Sequence, residues 1–145
     1  MDISGWAQDP NALAEFLEEA NLARIATLDE AGRPHVVPAW HWWDGRQFWI
    51  GSDGADRKVA HLRRDPICGI EIDADLRRKR GIFANASARI IDGSDGRREY
   101  VRITTEQVRR YQPGRPPHHT AEQYASKGEP VVIVISPERM ISWGR

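Results

Sequence analysis

The tightest constraint on this fold lies in residues 33–66, RPHVVPAWHWWDGRQFWIGSDGADRKVAHLRRDP. Asp44-Gly45 is a strong hairpin turn, because these residues tolerate the positive backbone angles a tight reversal needs. It predicts one strand over residues 34–43 and a return strand over 47–51. Pro38 has no N–H to give to a ladder, so the first strand is expected at a sheet edge or at a bulge, where neighbouring amides can turn outward. A helix is expected over about 55–64, stopped by Pro66.

The rest of the chain can be read around that hairpin. Residues 1–8 read as a loosely held arm. Asp9-Pro10 is a helix start, with Asp9 as the cap and Pro10 at the first helical position. Leu13, Phe16, Leu17 and Ala20 then recur at helical spacing. Strands are expected over 22–28, 67–73 and 81–92, the second with Cys68, Ile70 and Ile72 on one face. A helical stretch over 94–111 turns Tyr100, Val101, Val108 and Tyr111 inward. After a proline-rich loop, Thr120 is placed to cap a short helix to Lys127. Residues 131–135, VVIVI, form a strand buried on both faces, and residues 140–143 form a last short one. The total is five to seven antiparallel strands in one domain, residues 1–145. Short, hairpin-like connections favour a small closed or split barrel.

Composition removes several functions. Twenty-one Lys and Arg balance 21 Asp and Glu, so no net field draws the chain to nucleic acid or a membrane. No apolar run reaches the length of a membrane span, and the first residues lack a secretion signal's basic and apolar regions, so a cytoplasmic location is expected. Cys68 is the single cysteine, leaving no disulfide framework and no cysteine-based metal site. The histidines show no ligand spacing and adjacent His118 and His119 seldom share an ion, so no metal is expected. No G-x-S-x-G elbow supports a nucleophilic mechanism, and no G-x-G-x-x-G follows a strand. Six tryptophans remain to be placed, four of them (Trp40, Trp42, Trp43, Trp49) on the hairpin. Trp40 and Trp42 share a face and Trp43 lies on the other, so they cannot all enter one small core. Trp49 fits cross-strand packing; the remainder fit either such packing or a ligand cavity or subunit seam.

The chemical signal is the position of two cations. Arg57 and Lys58 fall in the first turn of the expected helix, just after Ser52 and Gly54. That end carries roughly half a positive charge and favours acids. Two readings stand. Asp53 and Asp56, in the same turn, serve the helix dipole while both cations point into water; or free N–H groups, a hydroxyl and two cations cradle a phosphate.

The passage G-R-P-H-V-V-P-A-W, then W-I-G-S-x-x-x-D-R-K-x-x-x-L-R-R-D-P, resembles the signature of the pyridoxamine 5'-phosphate oxidase-like split-barrel flavoproteins. That group includes FMN enzymes and enzymes that use the deazaflavin coenzyme F420. The likeness is good over residues 16–73 and loose elsewhere. It implies a mainly β (α+β) fold, a six-stranded antiparallel split β-barrel with short flanking helices. It also implies that Ser52, Arg57 and Lys58 hold the cofactor phosphate, and that backbone from Val36, Val37, Pro38, Ala39 and Trp40 borders the ring system. His61, one turn after Arg57, stands where family members commonly carry Asn or another hydrogen-bonding residue, with a contact to the phosphate or ribityl chain as the implied role.

The function so implied is an oxidoreductase that moves hydride between coenzyme F420 or FMN and a small organic substrate, in a pocket at a homodimer interface. The cofactor carries the redox chemistry, so no side chain is named as catalytic. The P-A-W stretch and the R-R-D-P ending lean toward the deazaflavin branch, and FMN stays open. The basic loop over 74–80 is either solvated or faces a polyglutamylated cofactor tail, and Trp143 and Arg145 are placed to close the other subunit's pocket. The alternative is a non-catalytic carrier of haem, another tetrapyrrole or flavin, for which His41 and the tryptophan-rich hairpin are the enabling features.

Overall fold

The computed structural model describes residues 1–74, 77 and 79–144. The elements run β1 (Asp2–Ser4), a 3-10 turn (Gly5–Gln8), α1 (Pro10–Glu18), β2 (Ala23–Leu28), β3 (Pro34–Ala39), β4 (Trp42–Trp43) and β5 (Phe48–Asp53). There follow α2 (Arg57–Arg64), β6 (Ile67–Asp73), β7 (Gly81–Ile91), α3 (Gly93–Tyr111), α4 (Pro117–Ala125) and β8 (Pro130–Trp143). The strands form one sheet in the order β3-β2-β6-β7-β8-β5-β4, with β1 added to β8. Neighbours are antiparallel except for the parallel β1–β8 pair. This is the mainly β split barrel with flanking helices. No helix among the described residues is long and apolar enough to cross a membrane.

The apolar run of β8 explains the layering. Val131, Ile133 and Ile135 join Ile25, Phe48, Ile50, Ile70, Ile72 and Ile82 in the main core, which Phe16 and Leu17 of α1 also enter. Val132 and Val134 point the other way and pack with Ile103 of α3, beneath Trp42, Trp49 and Tyr100. Period-two alternation sends adjacent β-branched residues to opposite faces, so the run is apolar on both because a helix covers what the barrel does not.

Several expectations need correction. The sheet has eight strands rather than six. Residues 1–8 are no loose arm: β1 pairs with β8, and Ala7 is buried with its N–H on Ser142 Oγ at 2.9 Å. The strand expected over 34–43 breaks at Trp40-His41, where His41 turns fully into the interior. The two C-terminal strands are one, because the interruption at SPER is a bulge: Asn85 pairs with Arg139 and Ala86 with Pro137, leaving Glu138 as the extra residue. Pro116, not Thr120, precedes α4, and Thr120 lies buried within it. On α3, Ile103, Thr104 and Gln107 are buried beside Val108, whereas Tyr100, Val101 and Tyr111 are only partly covered. Asp9 does cap α1, accepting from the Asn11 N–H at 2.9 Å. β3 is indeed a terminal strand, which is what Pro38 requires.

Ile133 is fully buried where β8 crosses between β5 and β7. Ile133→Ala is expected to cost about 2–5 kcal/mol of unfolding free energy, read from the midpoint and slope of a urea titration.

Candidate functional site

The first turn of α2 is built as its sequence suggests, with one acid displaced. Asp53 ends β5, Asp56 is the N-cap, and Arg57 and Lys58 are the first two helical residues, with no acid in the turn itself. Asp is a favoured N-cap because its carboxylate normally accepts an N–H from its own helix. Asp56 does not: its side chain makes no cap hydrogen bond. Instead Oδ2 accepts from the Ser52 hydroxyl at 2.6 Å, the Asp53 N–H at 3.1 Å and Lys58 Nζ at 3.2 Å. Burial pushes the Asp56 carboxyl up, and these donors more than reverse that, leaving it below the usual carboxylate range.

Arg57 and Lys58 do not converge. Adjacent helical residues face different ways, and here each enters its own concavity. Arg57 lines an open groove of about 890 Å³ with His35, His61 and Arg64. His61 Nδ1 sits 2.9 Å from Thr27 Oγ1, and its ring meets His35 edge to face at 5.1 Å. His35 Nδ1 is buried with no hydrogen-bond partner. Of the groove's acids, Asp29 is tied to Arg33 at 2.9 Å, and no carboxylate among the described residues lies within ion-pair distance of Arg57.

Lys58, only 13% exposed, enters a smaller pocket of about 220 Å³ on the other side. Its walls include Pro38, Ala39 and Trp40 from the sheet edge, and Tyr100, Gln107 and Tyr124 from the α3–α4 hairpin. Trp40 stacks on Tyr111 with centroids 5.0 Å apart and planes 5° apart. Tyr100 lies so close over β5 that a Cβ on Gly51 would stand 2.8 Å from its ring. Val36 and Val37 line neither concavity; Val36 is 59% exposed on β3. Trp42 packs by Trp49 at 6.4 Å, and Trp43 on Phe48 at 4.5 Å. The role expected of Arg145 and part of the 74–80 loop lie outside the described residues.

The family resemblance put Pro38, Ala39 and Trp40 at one site with Lys58, as the structure has them, but gave no sign of the helical wall opposite. No pattern in α3 or α4 distinguishes a pocket-lining tyrosine from a packed one. The Ser52–Asp56 contact was equally hidden, since acid near a helix start is ordinary.

The residues fit a phosphate monoester unequally. On the groove side a guanidinium without a carboxylate partner and an unpartnered histidine nitrogen suit an anion. On the pocket side Ser52 and Lys58 already hold one.

A family model described as pyridoxamine 5'-phosphate oxidase matches residues 10–144. The chain belongs to this family. Solved structures share its fold. A conserved hypothetical protein, Rv2991 from Mycobacterium tuberculosis, superposes with a TM-score of 0.78 at 23% identity, over 97% of this chain and 85% of that one. An F420 reductase gives 0.69 at 20%, over 87% and 93%. The haem-storage protein HutZ from Vibrio cholerae gives 0.68 at 15%, over 90% and 91%. No curated protein sequence matches.

Fold likeness at these identities does not separate redox enzymes from haem carriers, and His41, the residue named for the carrier reading, lies in the interior. It is fully buried and its Nε2 lies 3.1 Å from the Asn21 carbonyl. Its Nδ1 is buried with no hydrogen-bond partner. Burial, then the nearby Arg110 charge, lowers its pKa from 6.5 to about 3. The folded state therefore keeps His41 neutral while the unfolded chain takes up a proton below 6.5, so stability is lost as pH falls from 6.5 toward 3. Between pH 7 and 5, urea unfolding should show a loss of about 1–2 kcal/mol, and His41→Gln should flatten that dependence.

Proposed function

We propose that this protein is an oxidoreductase of the pyridoxamine 5'-phosphate oxidase-like family, using coenzyme F420 or FMN to pass hydride to or from a small organic substrate. The protein works as a cytoplasmic homodimer with the cofactor at the subunit seam. The observation that carries the reading is the first turn of α2, where Arg57 has no carboxylate partner among the described residues and Lys58, only 13% exposed, lies against Pro38 and Ala39 of the end strand and Trp40 just beyond it. Lys58 is offset by Asp56, but a guanidinium at the positive end of a helix is costly without an anion of its own, and a cofactor phosphate supplies one for Arg57.

When bound, the flavin or deazaflavin ring accepts or donates the hydride. This chain's part is to hold and orient. Arg57 offers its guanidinium, and the backbone N–H groups of Arg57 and Lys58 have no acceptor among the described residues. Ser52 and Lys58 supply a hydroxyl and an ammonium. The backbone of Val36 to Trp40 borders the ring, and Pro38, which has no N–H, interrupts ladder donation along that strand. His61, held by Thr27, faces the same groove as Arg57 and can donate to a phosphate or ribityl oxygen. Trp40, Tyr100 and Tyr124 exclude water from the Lys58 side.

Purified protein reconstituted with each cofactor should retain F420 or FMN, identified by its absorbance and by mass spectrometry, and the band should bleach on reduction. A Soret band on reconstitution with haem, with neither flavin taken up, would favour the carrier instead. The Arg57→Ala, Lys58→Ala double variant should lose several kcal/mol of cofactor affinity in a fluorescence titration, about 1.5–3 kcal/mol for each charge-assisted bond. Light scattering should give the mass of two chains; a clean monomer would argue against a pocket shared between subunits.

A further inference from the structure

Asp56 departs from what its position calls for. An N-cap carboxylate ordinarily accepts an N–H of its own helix, yet that of Asp56 turns back to Ser52, Asp53 and Lys58. One oxygen, Oδ2, stands where a hydroxyl, a backbone amide and an ammonium converge. Three donors of these kinds on one oxygen make the environment that a phosphate oxygen would need. Ser52 is buried and Lys58 nearly so, so neither can reach a second anion in open water without leaving this one. The place the carboxylate leaves vacant is equally specific. Among the described residues the N–H groups of Arg57 and Lys58 have no acceptor, and Val59 N–H reaches only the Asp56 carbonyl, at 3.1 Å.

From these contacts we infer that Asp56 is an internal stand-in for the ligand phosphate, seated on Ser52 and Lys58 until an incoming phosphate displaces it. The inference rests on the reading of Ser52 and Lys58 as phosphate holders. Rotation of the carboxylate toward its own helix N–H groups would give it the ordinary N-cap bond, so displacement exchanges one set of donors for another rather than stripping a charge bare. While seated, Asp56 keeps Lys58 neutralised, Ser52 oriented and the pocket closed to stray anions. It thereby raises the threshold for binding: a lone inorganic anion must overcome the carboxylate, whereas a cofactor brings further contacts along β3 and the groove. Asp56 is therefore a specificity-determining residue that discriminates a phosphate carried on a large ligand from a free one.

The test compares wild type with Asp56→Asn, which keeps the shape and removes the charge, and with Asp56→Ser, which can still cap α2. Inorganic phosphate is titrated calorimetrically into each, and FMN and F420 by fluorescence, with thermal melts to establish folding. The inference expects both variants to bind inorganic phosphate at least about tenfold more tightly than wild type, a modest share of what one charge-assisted contact can supply. Adding Ser52→Ala to Asp56→Asn should remove most of the gain. Phosphate affinity unchanged or weakened in both folded variants would overturn the inference, and if wild type still takes up FMN or F420 the functional reading survives that failure. Tighter phosphate binding with no uptake of either cofactor by any protein would uphold Asp56 as the stand-in and overturn the functional reading instead.

Discussion

The structure depends on one run of five apolar residues that is used on both faces. Val131, Ile133 and Ile135 close the barrel interior, and Val132 and Val134 receive α3. The same strand is paired with β7 from Val132 to Trp143, with β5 from Pro130 to Ile135 and with β1 from Arg139 to Ile141. A barrel alone would leave the outer face of β8 in water. The α3–α4 hairpin exists in part to cover that face. In doing so it brings Tyr100, Gln107 and Tyr124 over the end of the sheet where Lys58 emerges. The pocket wall is thus a by-product of core packing.

The second dependence is electrostatic. Strand β5 delivers Ser52 and Asp53, and α2 begins at Arg57 with Asp56 as its cap. Because consecutive residues on a helix diverge by about 100°, Arg57 and Lys58 divide between two concavities rather than clasping one point. A single turn of helix therefore presents positive charge to both sides of the same loop, in one place open and in the other answered by the chain's own carboxylate.

What was legible in the sequence follows from which interactions are local. The Asp9-Pro10 helix start, the Asp44-Gly45 turn and the alternation of Cys68, Ile70 and Ile72 are set by neighbours within a few positions, and the structure has them where pattern places them. The end-strand position of Pro38 followed from its missing N–H. The errors arose where distant partners decide. Residues 2–4 carry no strong strand signal and become a strand because β8 offers an edge. Residues 136–139 look like a break, yet a bulge absorbs the extra residue and the strand continues. His41 turns inward and ends a strand that its neighbours' propensities would have prolonged. At the site, motif likeness singled out Ser52, Arg57 and Lys58, but the direction of each side chain depended on α3 and on Asp56, which no spacing rule encodes.

The prolines of β3 have a consequence for the chain's behaviour in a crowded solution. A terminal strand is a template on which another polypeptide can zip, and this one exposes Val36 in its middle. Pro34 and Pro38 bracket that valine and remove two of the strand's amide donors, so no uninterrupted foreign ladder can grow along it. The strand can thus leave its backbone unsheathed without inviting fibril-like stacking.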